Sequence, residues 1–109
     1  MKIFSAYKDG RLTLYLQGEL DHHGVRNSMG LIDKLIDDFM PRDCVLELSK
    51  LSFMDSSGIA LILKIHRRMK QSGGRAWVEN ADKQPLRVID ASGIDRIVKV
   101  SLAAKEATI

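Results

Sequence analysis

Short apolar runs alternate along this chain with stretches whose apolar residues recur every three or four positions, and this alternation restricts the fold more than any other feature. Residues 3–7 and 12–16 are short apolar or alternating runs separated by Lys8-Asp9-Gly10-Arg11. Asp-Gly between two such runs predicts a hairpin, because both residues tolerate the positive φ of a two-residue turn. Val25, Met29, Ile32, Leu35, Ile36 and Phe39 follow at helical spacing, with Arg26, Asn27, Asp33, Lys34, Asp37 and Asp38 between them. That pattern predicts an amphipathic helix, ended by Pro41. Residues 44–48 form an apolar strand and residues 49–55 read as a loop. A second helix then places Ile59, Ile62, Leu63, Ile65 and Met69 inward and stops at Gly73-Gly74. Residues 76–78 are another strand. Asp82 as cap, Pro85 in the first turn, Leu86 and Ile89 on the inner face and Gly93 past the end predict a third helix. Residues 97–100 read as the last strand and residues 103–109 as a short or frayed tail helix.

Parallel neighbouring strands need a crossover of a dozen or more residues, which the intervening helices supply. The expected class is therefore α/β, a mixed sheet of about five strands with an N-terminal hairpin followed by parallel strands. Right-handed crossovers in steady order gather the helices largely on one face. No repeat, low-complexity stretch or Pro/Ser-rich linker interrupts the 109 residues, so one continuous domain over 1–109 is expected, with no sign of a cut edge at either end.

Composition narrows the function classes. Cys44 is the only cysteine, which rules out an intrachain disulfide framework and reads as a small core residue. Lys2, Tyr7, Lys8 and Asp9 break up the first ten residues, unlike a signal peptide, and the strongest apolar run, residues 59–63, is far too short to span a bilayer. A soluble, cytoplasmic protein without membrane partners is expected. Seventeen Lys and Arg against fourteen Asp and Glu give a formal charge of +3, which raises nucleic acid as a partner. The basic residues are spread out, however, and the densest group, Lys64, Arg67, Arg68 and Lys70, reads as a solvated helix face near a helix end. No aromatic alternates with it as a stacking platform would, so direct nucleic-acid binding is not expected.

Convergent catalytic groups are equally scarce. His22 and His23 are adjacent and point in different directions on a regular element, so they suit a helix start better than a metal site. Gly58, Gly73 and Gly74 match no phosphate-cradling pattern, and Ser56 and Ser57 lack the preceding glycine of a nucleophile elbow. No cofactor and no enzymatic activity are expected. One segment stands apart, Leu51-Ser52-Phe53-Met54-Asp55-Ser56-Ser57-Gly58, where apolar residues lead into a polar helix start. Its plain reading is capping, for which Asp55, Ser56 and Ser57 all qualify. Its functional reading is phosphate acceptance, since free first-turn amides and the helix dipole favour added negative charge. The two readings are compatible.

Residues 51–58 resemble the phosphorylation motif of bacterial anti-sigma factor antagonists, the STAS domain family, most closely the sporulation branch that antagonises the anti-sigma-F factor. Gly18-Glu19-Leu20-Asp21-His22-His23 resembles that branch's second signature, and Lys70-Gln71-Ser72-Gly73-Gly74 and Asp90-Ala91-Ser92-Gly93-Ile94 fall where the family has similar helix ends. The resemblance implies a partner-switching regulator of sporulation transcription. Its unphosphorylated form binds an anti-sigma factor that is also a serine kinase and so frees the sigma factor; phosphorylation releases it, and a separate serine phosphatase restores the active form. Carried over by position, Ser56 is the phosphoacceptor, with Ser57 the runner-up. Asp21 matches an acidic residue used against the kinase, and it serves equally as a cap for the first helix. Glu19, His22, Asp55, Ser57, Gly58 and Ile59 are contact candidates by adjacency, although Glu19 also reads as a solvated strand-end charge and Ile59 as core. The alternative is a nucleotide-binding or weakly hydrolytic domain that uses the same helix N-terminus as an anion site.

Overall fold

In the computed structural model, which describes residues 1–102, Asp9 and Gly10 have φ of 52° and 82° and turn the chain between β1 (Lys2–Lys8) and β2 (Arg11–Leu20). Lys8 faces Arg11 across this turn in an antiparallel ladder, as Asp-Gly between alternating runs predicts. Then follow α1 (His22–Phe39), β3 (Asp43–Glu47), β4 (Leu51–Met54), α2 (Ser56–Gln71), β5 (Arg75–Glu79), α3 (Lys83–Ser92), a 3-10 turn at Ile94–Arg96 and β6 (Val100–Ser101). The strand order is β1-β2-β3-β5-β6, and β4 pairs with β2 beyond the reach of β3. Every pairing after the hairpin is parallel.

Pleating separates the two sheet faces. Leu12, Leu14 and Leu16 of β2, Cys44 and Leu46 of β3 and Ala76 and Val78 of β5 share one core with Ile32 and Ile36 of α1, Leu61, Ile62, Ile65 and Met69 of α2 and Ile89 of α3. The alternate residues, Arg11, Thr13 and Tyr15, Asp43, Val45 and Glu47, and Arg75, Trp77 and Glu79, are in register on the opposite face. The helices therefore lie on one face, as the crossover argument predicts. Burial lifts the Cys44 thiol pKa to about 12, so it stays protonated at neutral pH and acts as a core residue. Leu61 joins the fully buried residues of α2 while Leu63 packs only partly against the core, and Phe39 is 41% exposed, its ring stacked on Tyr7.

Four details differ from the sequence expectation. The segment read as a loop over residues 49–55 contains β4, giving six strands among the described residues rather than about five. Its ends, Leu51 and Met54, are buried while Ser52 and Phe53 are exposed, so the segment lacks the period-two pattern that marks a strand. β2 continues past residue 16 to Leu20 through an irregularity at Gly18, whose φ of 98° an L side chain rarely adopts. The last strand is shifted: residues 94–98 wind into a turn in which the Ile97 and Val98 amides both donate to the Ile94 carbonyl, and only Val100–Ser101 pairs with β5. The tail helix expected over 103–109 lies outside the described residues. Within the basic group of α2, Arg68 does not simply face solvent; it bridges to Asp33 (3.3 Å) and Asp37 of α1. No helix among the described residues is long and apolar enough to cross a membrane.

Candidate functional site

Parallel pairing of β2 with β4 sets Glu19 opposite Phe53 and Leu20 opposite Met54. The next residue on each strand, Asp21 and Asp55, caps the helix that follows, so the N-termini of α1 and α2 start side by side. The Gly24 amide donates to Asp21 Oδ1 at 2.9 Å, and the Ser57 amide donates to Asp55 Oδ1 at 2.8 Å. A backbone bond from the Asp55 amide to the Leu20 carbonyl (3.4 Å) ties the two strand ends together. Hydrogen bonding to the Gly24 amide holds the Asp21 carboxyl below its ordinary pKa, and burial only partly opposes this. The two motifs separated in sequence thus form one acidic rim.

Capping, left open among three residues by the sequence, falls to Asp55. Ser56 is therefore free: it is the first residue of α2, exposed, and its hydroxyl makes no hydrogen bond among the described residues. Ser57 is half-buried, with its amide committed to the cap. Glu19 and His22 are exposed, and Asp21 and Asp55 half-exposed. Gly58 is buried, and a Cβ there would lie 2.2 Å from Met54 Cγ, so it lets α2 approach β4. Ile59 packs partly against the core. His22 and His23 are exposed with rings 5.9 Å apart, and no group of three or more His, Cys, Asp or Glu suited to a metal occurs among the described residues.

Two residues here escape sequence reasoning. Gln84 of α3 accepts from the Met54 amide (2.8 Å) and donates to the Met54 carbonyl (3.0 Å), so a side chain does the work of a neighbouring strand directly before Asp55. Nothing local in the sequence signals this, because a half-buried glutamine near a helix start has many uses. Phe53, 38% exposed beside Glu19, offers the rim an apolar surface; a phenylalanine in an apolar run carries no local signal of exposure.

A six-stranded mixed sheet with an N-terminal hairpin, helices on one face and two capped helices opening at one end defines a STAS-type domain. The STAS domain family model matches residues 5–107, and the chain belongs to that family. It is 33% identical over 100 residues to the anti-sigma F factor antagonist of Paenibacillus polymyxa, covering 92% of this chain and 86% of that protein. The fold superposes on the unphosphorylated anti-sigma factor antagonist SpoIIAA with a TM-score of 0.80 at 25% identity, covering 97% of this chain and 93% of that one. The phosphorylated form of SpoIIAA, described as a Bacillus cell fate determinant, superposes with a TM-score of 0.71 at 25% identity, covering 98% and 97% of the two chains.

Proposed function

We propose that this chain is an anti-sigma factor antagonist, a binding module without catalysis of its own that phosphorylation of Ser56 switches off. Unphosphorylated, it binds an anti-sigma factor serine kinase and releases the sigma factor that the kinase holds. A serine phosphatase reverses the modification, and the setting is sporulation transcription in the cytoplasm. The observation that carries this reading is the exposed, uncommitted Ser56 hydroxyl on the first turn of α2, beside a carboxylate that has taken over the capping. The names of the relatives support the antagonist class, and the phosphorylated relative of the same fold supports a switch by phosphate. Asp21, exposed enough to touch a partner and held ionised by its cap bond, is the first charge contact proposed for the kinase; Glu19, His22 and Phe53 extend the same rim.

The test uses the kinase, ATP and two forms of the antagonist. In the wild type, mass spectrometry places one phosphate on Ser56. Ser56→Ala takes up none and stays bound to the kinase, because the β-carbon remains and only the acceptor oxygen is lost. Phosphate on Ser57, or an alanine variant that no longer binds, would refute the assignment.

A further inference from the structure

We infer that a second site, at the end of the sheet away from Ser56, binds a phosphate-bearing small molecule with an apolar body. β6 pairs only with Val78 and Glu79, so the edge of β5 is left without a strand beside Arg75, Ala76 and Trp77 among the described residues. A cavity of about 400 Å³ opens there. Arg11, Lys70, Arg75 and Lys99 bring four cations to its wall, and no carboxylate lines it among the described residues. The indole of Trp77 and the side chain of Ile97, which is 61% exposed, supply an apolar side. His66 also lines the cavity, and its buried Nδ1 has no hydrogen-bond partner among the described residues.

The guanidinium groups are held in place. Register sets Arg11, Asp43 and Arg75 abreast on three adjacent strands, and the buried Asp43 carboxylate takes Arg11 at 3.4 Å and Arg75 at 3.2 Å. Both guanidinium groups also lie against the Trp77 ring, 4.9 and 5.5 Å from its centroid. Even so, the Arg11 and Arg75 side chains keep 49% and 69% exposure, so their outer N–H groups stay open to an anion. One carboxylate does not neutralise this set, because Arg42 also pairs with Asp43 at 3.2 Å while remaining 63% exposed. Planar guanidinium forks match phosphate oxygens in pairs, and a single carboxylate ligand would leave most of the cations unmatched. The apolar wall adds a preference for an organic phosphate over the free ion.

Trp77, the chain's only tryptophan, reports on the site directly. Titration with phenyl phosphate is expected to change Trp77 emission saturably, with inorganic phosphate about tenfold weaker because it leaves the apolar wall unused. Lys70 and Lys99 take no part in the Asp43 ion pairs, so the double variant Lys70→Gln, Lys99→Gln keeps its fold while affinity for phenyl phosphate falls by about tenfold. An unchanged melting temperature in that variant separates lost binding from lost structure. The proposal is overturned by emission that does not respond up to about 10 mM ligand, or by undiminished affinity in the double variant. Inorganic phosphate binding as tightly as phenyl phosphate would remove the organic ligand. Equal saturation by an oligoglutamate peptide would make the site a docking surface for acidic protein and overturn it as well.

Discussion

At Gly58 a methyl group has no room: an ideal Cβ meets Met54 Cγ at 2.2 Å and Sδ at 2.6 Å, and Met54 itself is fully buried. Gly58→Ala should therefore destabilise the domain despite alanine's better helix propensity, by about 1 kcal/mol net, or a fall of roughly 4 to 8 °C in melting temperature. An unchanged melting temperature would mean that Met54 repacks freely. Asp43 carries the opposite kind of constraint. Burial pushes its pKa up, but hydrogen bonds and charge from Arg42 and Arg75 prevail and hold it below 3.8. A carboxyl with a lowered folded pKa stabilises the fold fully above its unfolded value, and this contribution fades as pH drops through the folded value. Asp43→Asn should cost about 1 to 2 kcal/mol at pH 7, toward the low side because the three arginine side chains are 49%, 63% and 69% open to water. Urea melts of both proteins check the sign: the gap narrows near pH 3, and a constant gap would assign the effect to packing. The serines at a helix start were legible from residue types alone. The Asp43 cluster was not, because strand register assembles it from segments far apart in the chain.

Elements show the same division. The hairpin could be read from Asp9-Gly10, and α1, α2 and α3 from apolar spacing and their stop residues, since those signals are local. β4 could not, because its identity depends on pairing with the end of β2 and on a side chain from α3. That dependence makes Gln84 a positioning residue for the rim: by holding the Met54 amide and carbonyl, it fixes the strand that aims Asp55 and Ser56. Gln84→Ala should leave both backbone groups of the buried Met54 unpaired, a local loss of about 1 to 3 kcal/mol. Faster hydrogen exchange at the Met54 amide and weaker kinase binding are expected, while amides in the middle of β3 keep their protection. Uniform loss of protection would show Gln84 to be a general stabiliser instead. Unaltered exchange at Met54 would show that water replaces the clamp.

On the scale of the whole molecule, two clusters of charged side chains stand at opposite ends of the sheet. Glu19, Asp21 and Asp55 stand where β2 and β4 finish, while Arg11, Arg42 and Arg75 gather where β2, β3 and β5 begin. A ten-residue strand separates the two ends by about 30 Å, several Debye lengths at physiological salt, so charge added at one end has little direct effect on the other. A phosphate on Ser56 brings about −1.5 to −2 charges at pH 7 to a rim that is already acidic. The dipole of the 16-residue α2 favours that charge, the Asp55 carboxylate opposes it, and the exposed serine supports no part of the core. The fold should therefore absorb the phosphate with a change of about 1 kcal/mol or less in stability. At the proposed kinase interface the added charge would face the kinase's nucleotide phosphates and lose its hydration, and a loss of about 3 kcal/mol there would weaken binding more than a hundredfold. Melting temperature and kinase affinity, measured on one phosphorylated sample, should separate cleanly, with affinity lost and melting held. A large drop in melting temperature would mean that the switch works by unfolding, and undiminished affinity would mean that Ser56 is no switch.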